Sequence, residues 1–222
     1  MQNNRTALII GSTGMVGEQC LRELLACNSY SKVVALTRSK LTLTHPKLEN
    51  RVSDFDRLEN VREWLNCDDV YCAIGTTIAK AGSQEAFRKV DYEYPLKVAQ
   101  LALWNGAKRF ILVSALGASA SSPVFYNRVK GELEQALMQL GYEALIILRP
   151  SILLGNRKEQ RTGEAAGMWV AEKLPFLFCG PFKKYRGTPA VLVAQVMVKL
   201  GASNSKGVQV LENENIFEEA ER

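Results

Sequence analysis

Apolar and polar positions follow two alternating patterns through the first two thirds of the chain. Short continuous apolar runs are typical of strands buried in a parallel sheet, whereas apolar residues that recur three and four positions apart indicate helix faces. The predicted strands are Ala7–Ile10, Val33–Thr37, Arg51–Ser53, Val70–Ile74, Phe110–Ser114 and Ala144–Leu148. The predicted helices begin after Gly17 and then span Arg57–Leu65, Tyr94–Trp104 and Asn127–Leu140. This β-α repetition predicts an α/β fold, a doubly wound parallel sheet of the Rossmann type with helices on both faces.

The pattern changes after Gly155, where loops, basic residues and aromatic residues become more frequent. We interpret residues 1–222 as a single domain, with 1–155 as a cofactor-binding core and 156–222 as a segment that covers a substrate or a partner. Within that segment, Thr188-Pro189 predicts the start of a helix that runs to about Leu200.

Two further features lie in the same segment. Gly207–Glu212 predicts a last strand, and the acidic tail that follows it is expected to fray. The aromatic segment Met168–Phe182 could line a substrate pocket, face a partner or cover apolar surface, and the sequence leaves these three open.

Composition excludes several classes of protein. The chain is 47% hydrophobic and 23% charged over 222 residues, as in ordinary globular proteins. No apolar run approaches the roughly 20 residues of a membrane span, and we expect no signal peptide before the first strand. The five cysteines show no paired spacing, so we expect reduced thiols and a cytoplasmic location. The single histidine, His45, disfavours a metal site, and the modest net charge of +5 does not indicate nucleic-acid binding.

A glycine-rich turn follows the first predicted strand. Gly11, Gly14 and Gly17 stand between this strand and the first helix, in the context that a dinucleotide-binding motif requires. The spacing is Gly-x-x-Gly-x-x-Gly, so that backbone N–H groups and the helix N-terminus can approach a pyrophosphate. The residues between the glycines, expected to line the same site, are Ser12, Thr13, Met15 and Val16.

The end of the second strand bears on the choice of coenzyme. An acidic residue there would bind ribose hydroxyls, but Arg38 and Lys40 occupy this stretch, and a guanidinium suits a ribose 2′-phosphate. The sequence therefore favours NADP(H) over NAD(H). Asp54 and Phe55 could contact the adenine, and the alternative for this stretch is a helix cap at Asp56.

Two further stretches complete the candidate site. Ile74, Gly75 and Thr76 close the fourth strand, where ligands of open α/β sheets collect. Tyr126 and Lys130 are four residues apart and would share a helix face, so that the ammonium of Lys130 favours the phenolate of Tyr126. This pair is the strongest indication of catalysis in the chain.

These motifs resemble those of the extended or atypical short-chain dehydrogenase/reductases, in particular the Tat-interacting-protein oxidoreductase-like branch. The likeness rests on the stretches Ile10–Gly17, Cys72–Thr77, Val90–Tyr94, Val129–Glu132 and Leu148–Arg161. It implies a Rossmann fold, NADP(H) binding that includes Lys130 and Pro150, and a Ser-Tyr-Lys site formed by Ser114, Tyr126 and Lys130. Less suitable candidates for the serine are Ser119, Ser121 and Ser122. Asp91 occupies a position that is often polar in the family, and we interpret it as a helix cap.

The resulting prediction is an NADP-dependent oxidoreductase that moves a hydride between nicotinamide and a small carbonyl or alcohol substrate. The alternatives are a non-catalytic NADP(H)-binding sensor or interaction protein, and a nucleotide-sugar epimerase or dehydratase. A length of 222 residues leaves little room for the sugar-nucleotide lobe of the latter. We expect no metal, no nucleic acid and no membrane span, and a homodimer is possible.

Overall fold

The structure, a computed structural model, describes residues 5–155 and 185–222. Its centre is a parallel sheet of seven strands in the order β3-β2-β1-β4-β5-β6-β9, and β7 and β8 form a separate short pair. The strands are β1 (Arg5–Ile10), β2 (Tyr30–Thr37), β3 (Leu48–Val52), β4 (Asp69–Cys72), β5 (Arg109–Val113), β6 (Ala144–Arg149), β7 (Leu153–Leu154), β8 (Thr188–Pro189) and β9 (Gly207–Glu212). The expected α/β fold with a parallel Rossmann-like sheet is confirmed.

Helices cover both faces of this sheet. They are α1 (Met15–Ala26), α2 (Ile78–Ala81), α3 (Gln84–Arg88), α4 (Tyr94–Trp104), α5 (Phe125–Met138), α6 (Ala190–Ala202) and α7 (Asn213–Glu221). A π-helical turn, Lys89–Glu93, joins α3 to α4, and a 3-10 segment spans Phe55–Leu65. Within the described residues, no helix combines the length and the apolar composition that crossing a membrane requires.

Successive side chains of the central strands point to opposite faces of the sheet, so the hydrophobic core consists of two clusters, one on each face. Ala7 and Ile9 of β1 face one cluster, which includes α1 and α6, while Leu8 and Ile10 face the other, which includes α4 and α5. Both faces of the inner strands are therefore buried, which explains their continuous apolar runs. Because all seven strands are parallel, their carboxyl ends lie at one edge of the sheet, and the candidate site residues follow β1, β4 and β5 at that edge.

The second strand begins at Tyr30 and the fourth ends at Cys72, so both differ from their predicted bounds by two or three residues. Two other predicted elements of the first half of the chain differ more. The third strand begins at Leu48 rather than Arg51, and the sequence missed its start because this edge strand is half-exposed and lacks an apolar run. The segment predicted as the helix Arg57–Leu65 is a 3-10 segment. Its backbone leaves helical angles at Arg57 and Val61, which prevents a continuous α-helix.

Two predictions about the C-terminal segment are also wrong. Thr188 does not cap a helix, because it pairs with Leu153 in the β7-β8 ladder and its buried hydroxyl bonds to Asn213; the helix begins at Ala190. The tail does not fray but forms α7. The buried Asn213 side chain anchors it by accepting from the backbone N–H of Ser151 at 3.1 Å.

Candidate functional site

The glycine turn after β1 has the geometry of a dinucleotide cradle. Gly11 has a φ of 84°, and a Cβ atom on it would overlap the backbone of Ala73 and Ile74, so only glycine fits where β1 ends beside β4. Gly14 is the N-cap of α1, and no side chain caps this helix. The first backbone N–H groups of α1, which begins at Met15, therefore have no intrahelical partner and can bind an anion.

Ser12 supports the same interpretation. Its side chain is only 3% exposed, and its hydroxyl has no hydrogen-bond partner in the described part of the chain. A buried polar atom without a partner is costly, so its position in the glycine turn fits a bound phosphate oxygen. Thr13, in the same turn, is exposed, and Val16, in the first turn of α1, is buried. These residues fit the pyrophosphate of a dinucleotide.

A turn ordered by its own side chains follows β2. Asn50 of β3 donates to the carbonyl of Ala35 at 3.0 Å and accepts from the backbone N–H of Leu41 at 2.8 Å. Thr37 donates to the carbonyl of Ser39 at 2.8 Å. These bonds fix the backbone on both sides of Arg38, whose side chain is exposed.

The residues expected near the adenine take other roles as well. Asp54, and not Asp56, caps the 3-10 segment, by accepting from the backbone N–H of Asp56 at 3.0 Å, so the cap expected at Asp56 is wrong. Asp56 instead binds Lys89 at 2.7 Å and the hydroxyl of Tyr94 at 2.7 Å. Phe55 is 5% exposed and packs on the ring of Tyr94, which leaves little of its surface for a ligand.

Tyr126 and Lys130 lie together on α5. The helix begins at Phe125, two residues earlier than predicted, so both residues are helical and share a face. The Tyr126 ring packs on Phe87 with ring centroids 5.5 Å apart. Lys130 lies beneath Gly75, where an added Cβ atom would stand 3.7 Å from its ammonium nitrogen. The structure therefore brings the predicted pair to the end of β4.

Lys130 is paired with an acid that sequence analysis misread. The carboxylate of Asp91, in the π-helical turn, lies 2.7 Å from the Lys130 ammonium, and both side chains are almost fully buried. Asp91 also accepts from the backbone N–H of Thr76 at 2.8 Å. It is therefore a partner of Lys130 and of the β4 end, and the predicted helix-cap role is wrong. Burial opposes the charge of Lys130, but its interactions with Asp91, Tyr126 and Cys72 together outweigh burial and raise the pKa of Lys130 above its ordinary value.

Ser114 is held by a buried network behind the site. Its hydroxyl donates to the carboxylate of Glu134, a residue that is 2% exposed. Arg149 donates to Glu134 through Nε at 3.1 Å and to Glu212 through Nη1 at 2.7 Å. Sequence reasoning missed Glu134, although its position four residues after Lys130, on the same helix face, was a usable indication.

The loop after β5 is fixed in two places. Its Leu116 N–H donates to the carbonyl of the buried Pro150 at 2.9 Å, which uses the Pro150 backbone within the protein. Farther along, a Cβ atom on Gly131 would overlap the backbone of Ser119 and Ala120, so the loop lies directly on α5. Among the described residues, no group of three His, Cys, Asp or Glu side chains is placed to hold a metal ion.

Comparison with known proteins identifies the family. A family profile described as NAD(P)H-binding matches residues 11–163. The chain is 36% identical to rat HTATIP2 over 219 residues, which cover 96% of this chain and 88% of that protein. It is 33% identical to FMP52 of Eremothecium gossypii, with 95% of each chain covered, and 39% identical to FMP52 of Candida albicans, with 69% of each covered.

Solved structures with the same fold are much less similar in sequence. The ADP-L-glycero-D-manno-heptose-6-epimerase of Helicobacter pylori superposes with a TM-score of 0.70 at 18% identity, covering 95% of this chain and 77% of that one. The Bordetella bronchiseptica enzyme WbmG, solved with NAD, gives 0.67 at 13% identity and covers 94% and 73%. At these identities the likeness establishes the Rossmann-like fold alone.

The relatives also correct one expectation and confirm another. Several FMP52 proteins are named mitochondrial, which contradicts the cytoplasmic location inferred from the cysteines. Unpaired cysteine spacing predicts reduced thiols, but it does not distinguish one reducing compartment from another. The resemblance drawn from the glycine turn and the Tyr126 helix is confirmed. The chain belongs to the NAD(P)H-binding family of Rossmann-fold proteins to which its HTATIP2 and FMP52 relatives also belong.

Proposed function

We propose that this protein is an NADP(H)-dependent oxidoreductase for a small carbonyl or alcohol substrate. The observation that carries the proposal is the position of Lys130, buried under Gly75 at the carboxyl end of β4, on the same helix face as Tyr126. This edge of the sheet also carries the glycine turn of an NAD(P)H-binding family. A proton donor beside a hydride carrier is the minimum that carbonyl reduction requires.

Tyr126, Lys130 and Ser114 would each have a distinct role in the reaction. A bound nicotinamide would supply or accept the hydride. Tyr126 would give its phenolic proton to the carbonyl oxygen, or take one from an alcohol. Lys130 would bind the nicotinamide ribose hydroxyls and orient Tyr126. Ser114 would hold the substrate oxygen, and to donate to that oxygen it must release Glu134.

The preference for NADP(H) over NAD(H) rests on the turn after β2. Arg38 is exposed there on a backbone that Asn50 and Thr37 hold in place. A guanidinium can form paired hydrogen bonds with a ribose 2′-phosphate.

The test compares Tyr126→Phe with the unaltered protein against a panel of aldehydes, ketones and sugar nucleotides with NADPH. We expect turnover to fall by at least about 100-fold, because the proton donor is lost, while NADPH affinity is unchanged. Tyr94→Phe is the matched control, since it removes a phenol whose partners, Asp56 and Lys89, are not among the proposed catalytic residues. No turnover by the unaltered protein with any substrate, despite tight NADPH binding, would instead favour a non-catalytic coenzyme sensor.

A further inference from the structure

The buried Asp91–Lys130 ion pair changes the electrostatics of the proposed proton donor. An unpaired ammonium beside a phenol stabilises the phenolate. In this protein, however, the Asp91 carboxylate lies 2.7 Å from the ammonium, and the exposed fractions of the two side chains are 1% and 5%. Because the two charges are opposite and adjacent, their effects on a third group partly cancel, so the pair favours a neighbouring phenolate less than a single positive charge would.

The carboxylate is fixed in this position by the backbone around it. Its second oxygen accepts from the Thr76 N–H at 2.8 Å, and its first oxygen would lie 3.3 Å from a Cβ atom on Gly75. Asp91 belongs to the π-helical turn between α3 and α4. Such turns are rare, occur mostly as single-turn insertions in α-helices, and are frequent at functional sites. The turn therefore places a carboxylate against Lys130 where an uninterrupted α-helix would have a different register.

Among the described residues, no other group that interacts with Lys130 cancels the effect of the Asp91 carboxylate on its charge. Those that interact with it electrostatically are Asp91, the Tyr126 phenol on α5 and the Cys72 thiol on β4. Burial raises the pKa of Cys72 to about 12, so that the thiol stays neutral near pH 7. Asp91 is the only carboxylate among these groups, and the Glu134 carboxylate, one helical turn farther along α5, is paired with Arg149.

We propose that Asp91 is a positioning residue that offsets the charge of Lys130 and so weakens the effect of that charge on Tyr126, the proposed proton donor. The catalytic part of this inference rests on the proposed function. The electrostatic part concerns only the folded chain and can be tested without any substrate. It implies that Lys130 contributes mainly by orienting groups, and that little of its charge is available to ionise Tyr126.

The first experiment titrates the Tyr126 phenol by near-ultraviolet absorbance in the full, coenzyme-free chain. The same variant carrying Tyr126→Phe is subtracted, so that only this phenol contributes to the difference. We expect Asp91→Asn to lower the titration midpoint by about 1 pH unit or more, because Lys130 then lacks its counter-ion. A midpoint that stays the same or rises in Asp91→Asn overturns the proposal.

A double variant keeps the test decisive if Asp91→Asn does not fold. Asp91→Asn combined with Lys130→Met removes both charges, which proteins often tolerate better than the loss of one partner. Because the native pair has no net charge, the double variant should titrate within about half a pH unit of the unaltered protein. A midpoint displaced by more than about 1 unit contradicts the inference.

Turnover provides a second readout and separates the two proposals. Where a substrate is found, kcat/KM for its reduction should fall on the alkaline side at a lower pH in Asp91→Asn than in the unaltered protein. An active Asp91→Asn with an unshifted profile would refute the role of Asp91 and leave the oxidoreductase assignment intact. Absence of any turnover would affect only that assignment, because the phenol titration does not depend on it.

Discussion

Gly17 lies directly against the carbonyl group of Gly11, so that a Cβ atom on Gly17 would overlap that oxygen. The two glycines thus set the distance between the end of β1 and the first turn of α1. Gly14 completes the turn by donating to the same carbonyl at 2.9 Å. The path of the backbone around the proposed pyrophosphate site therefore depends on the absence of a side chain at Gly17.

Gly17→Ala is therefore expected to impair coenzyme binding more than overall folding. The added methyl group must push α1 away from Gly11, and the N–H groups at the start of the helix lose their alignment with the phosphates. We expect the Kd for NADPH to rise by at least about tenfold, or about 1.4 kcal/mol, measured by calorimetric titration. Gly82→Ala is the control, because a Cβ atom on Gly82 would meet open space, so that only the strain of its φ of +86° opposes the added methyl group. It should lower stability by about 1 kcal/mol without changing the Kd.

Arg38→Glu is expected to weaken NADPH binding far more than NADH binding. The substitution places a carboxylate where the 2′-phosphate would lie, so attraction becomes repulsion for one coenzyme only. An affinity for NADPH that falls by about 100-fold, while the affinity for NADH falls by less than about threefold, would be consistent with a desolvated contact between charges. Lys206→Glu makes the same change of charge before β9 and should affect neither coenzyme. Equal losses for both coenzymes would show that Arg38 does not contact the 2′-phosphate.

The sequence predicted the parts of the site that are local in the chain. Gly11 to Gly17 form one turn, and Tyr126 and Lys130 are one helical turn apart, so spacing alone was informative. The partners of these residues were not predictable in this way. Asp91 reaches Lys130 through a π-helical insertion that has no simple sequence signature.

The errors in the fold have a related cause. The edge strand β3 is half-exposed, and its polar residues Asn50 and Arg51 hide the strand pattern that buried strands show. Thr188-Pro189 has the local chemistry of a helix start, but pairing with β7 and the bond to Asn213 override it. Local propensity was outweighed by tertiary contacts in both places.

Ser114→Ala tests which hydroxyl completes the site. The proposed function expects turnover to fall by about tenfold or more with unchanged NADPH affinity, because the substrate oxygen loses a partner. Ser119→Ala is the matched control, since that hydroxyl lies in an exposed loop and pairs with Ser121 at 3.0 Å. Steady-state kinetics and coenzyme titration on both variants measure the difference. A Ser114→Ala variant that melts earlier but turns over normally would assign Ser114 to the Glu134 network alone.

We expect the buried phenol of Tyr142 to make the free energy of unfolding depend on pH under alkaline conditions. Its hydroxyl donates to the carbonyl of Ala99 at 2.6 Å in the core, and burial, with a smaller contribution from Cys67, raises the pKa of this phenol above its ordinary value. The unfolded chain ionises Tyr142 near pH 10 while the folded chain does not. The stabilisation is therefore complete below about pH 10 and is lost as the pH rises toward the folded value.

The expected result is a free energy of unfolding that falls above about pH 10, with Tyr142 contributing at most about 1.4 kcal/mol per pH unit to the slope. Tyr142→Phe should remove this contribution and also cost about 1 kcal/mol at neutral pH, because the hydrogen bond to Ala99 is lost. Phe110→Leu is the control, since its ring packs on Tyr142 with centroids 5.5 Å apart and does not titrate. It should lower stability at every pH without changing the slope. Urea unfolding between pH 8 and 11 measures both quantities. Equal slopes in Tyr142→Phe and the unaltered protein would mean that the phenol ionises alike in both states.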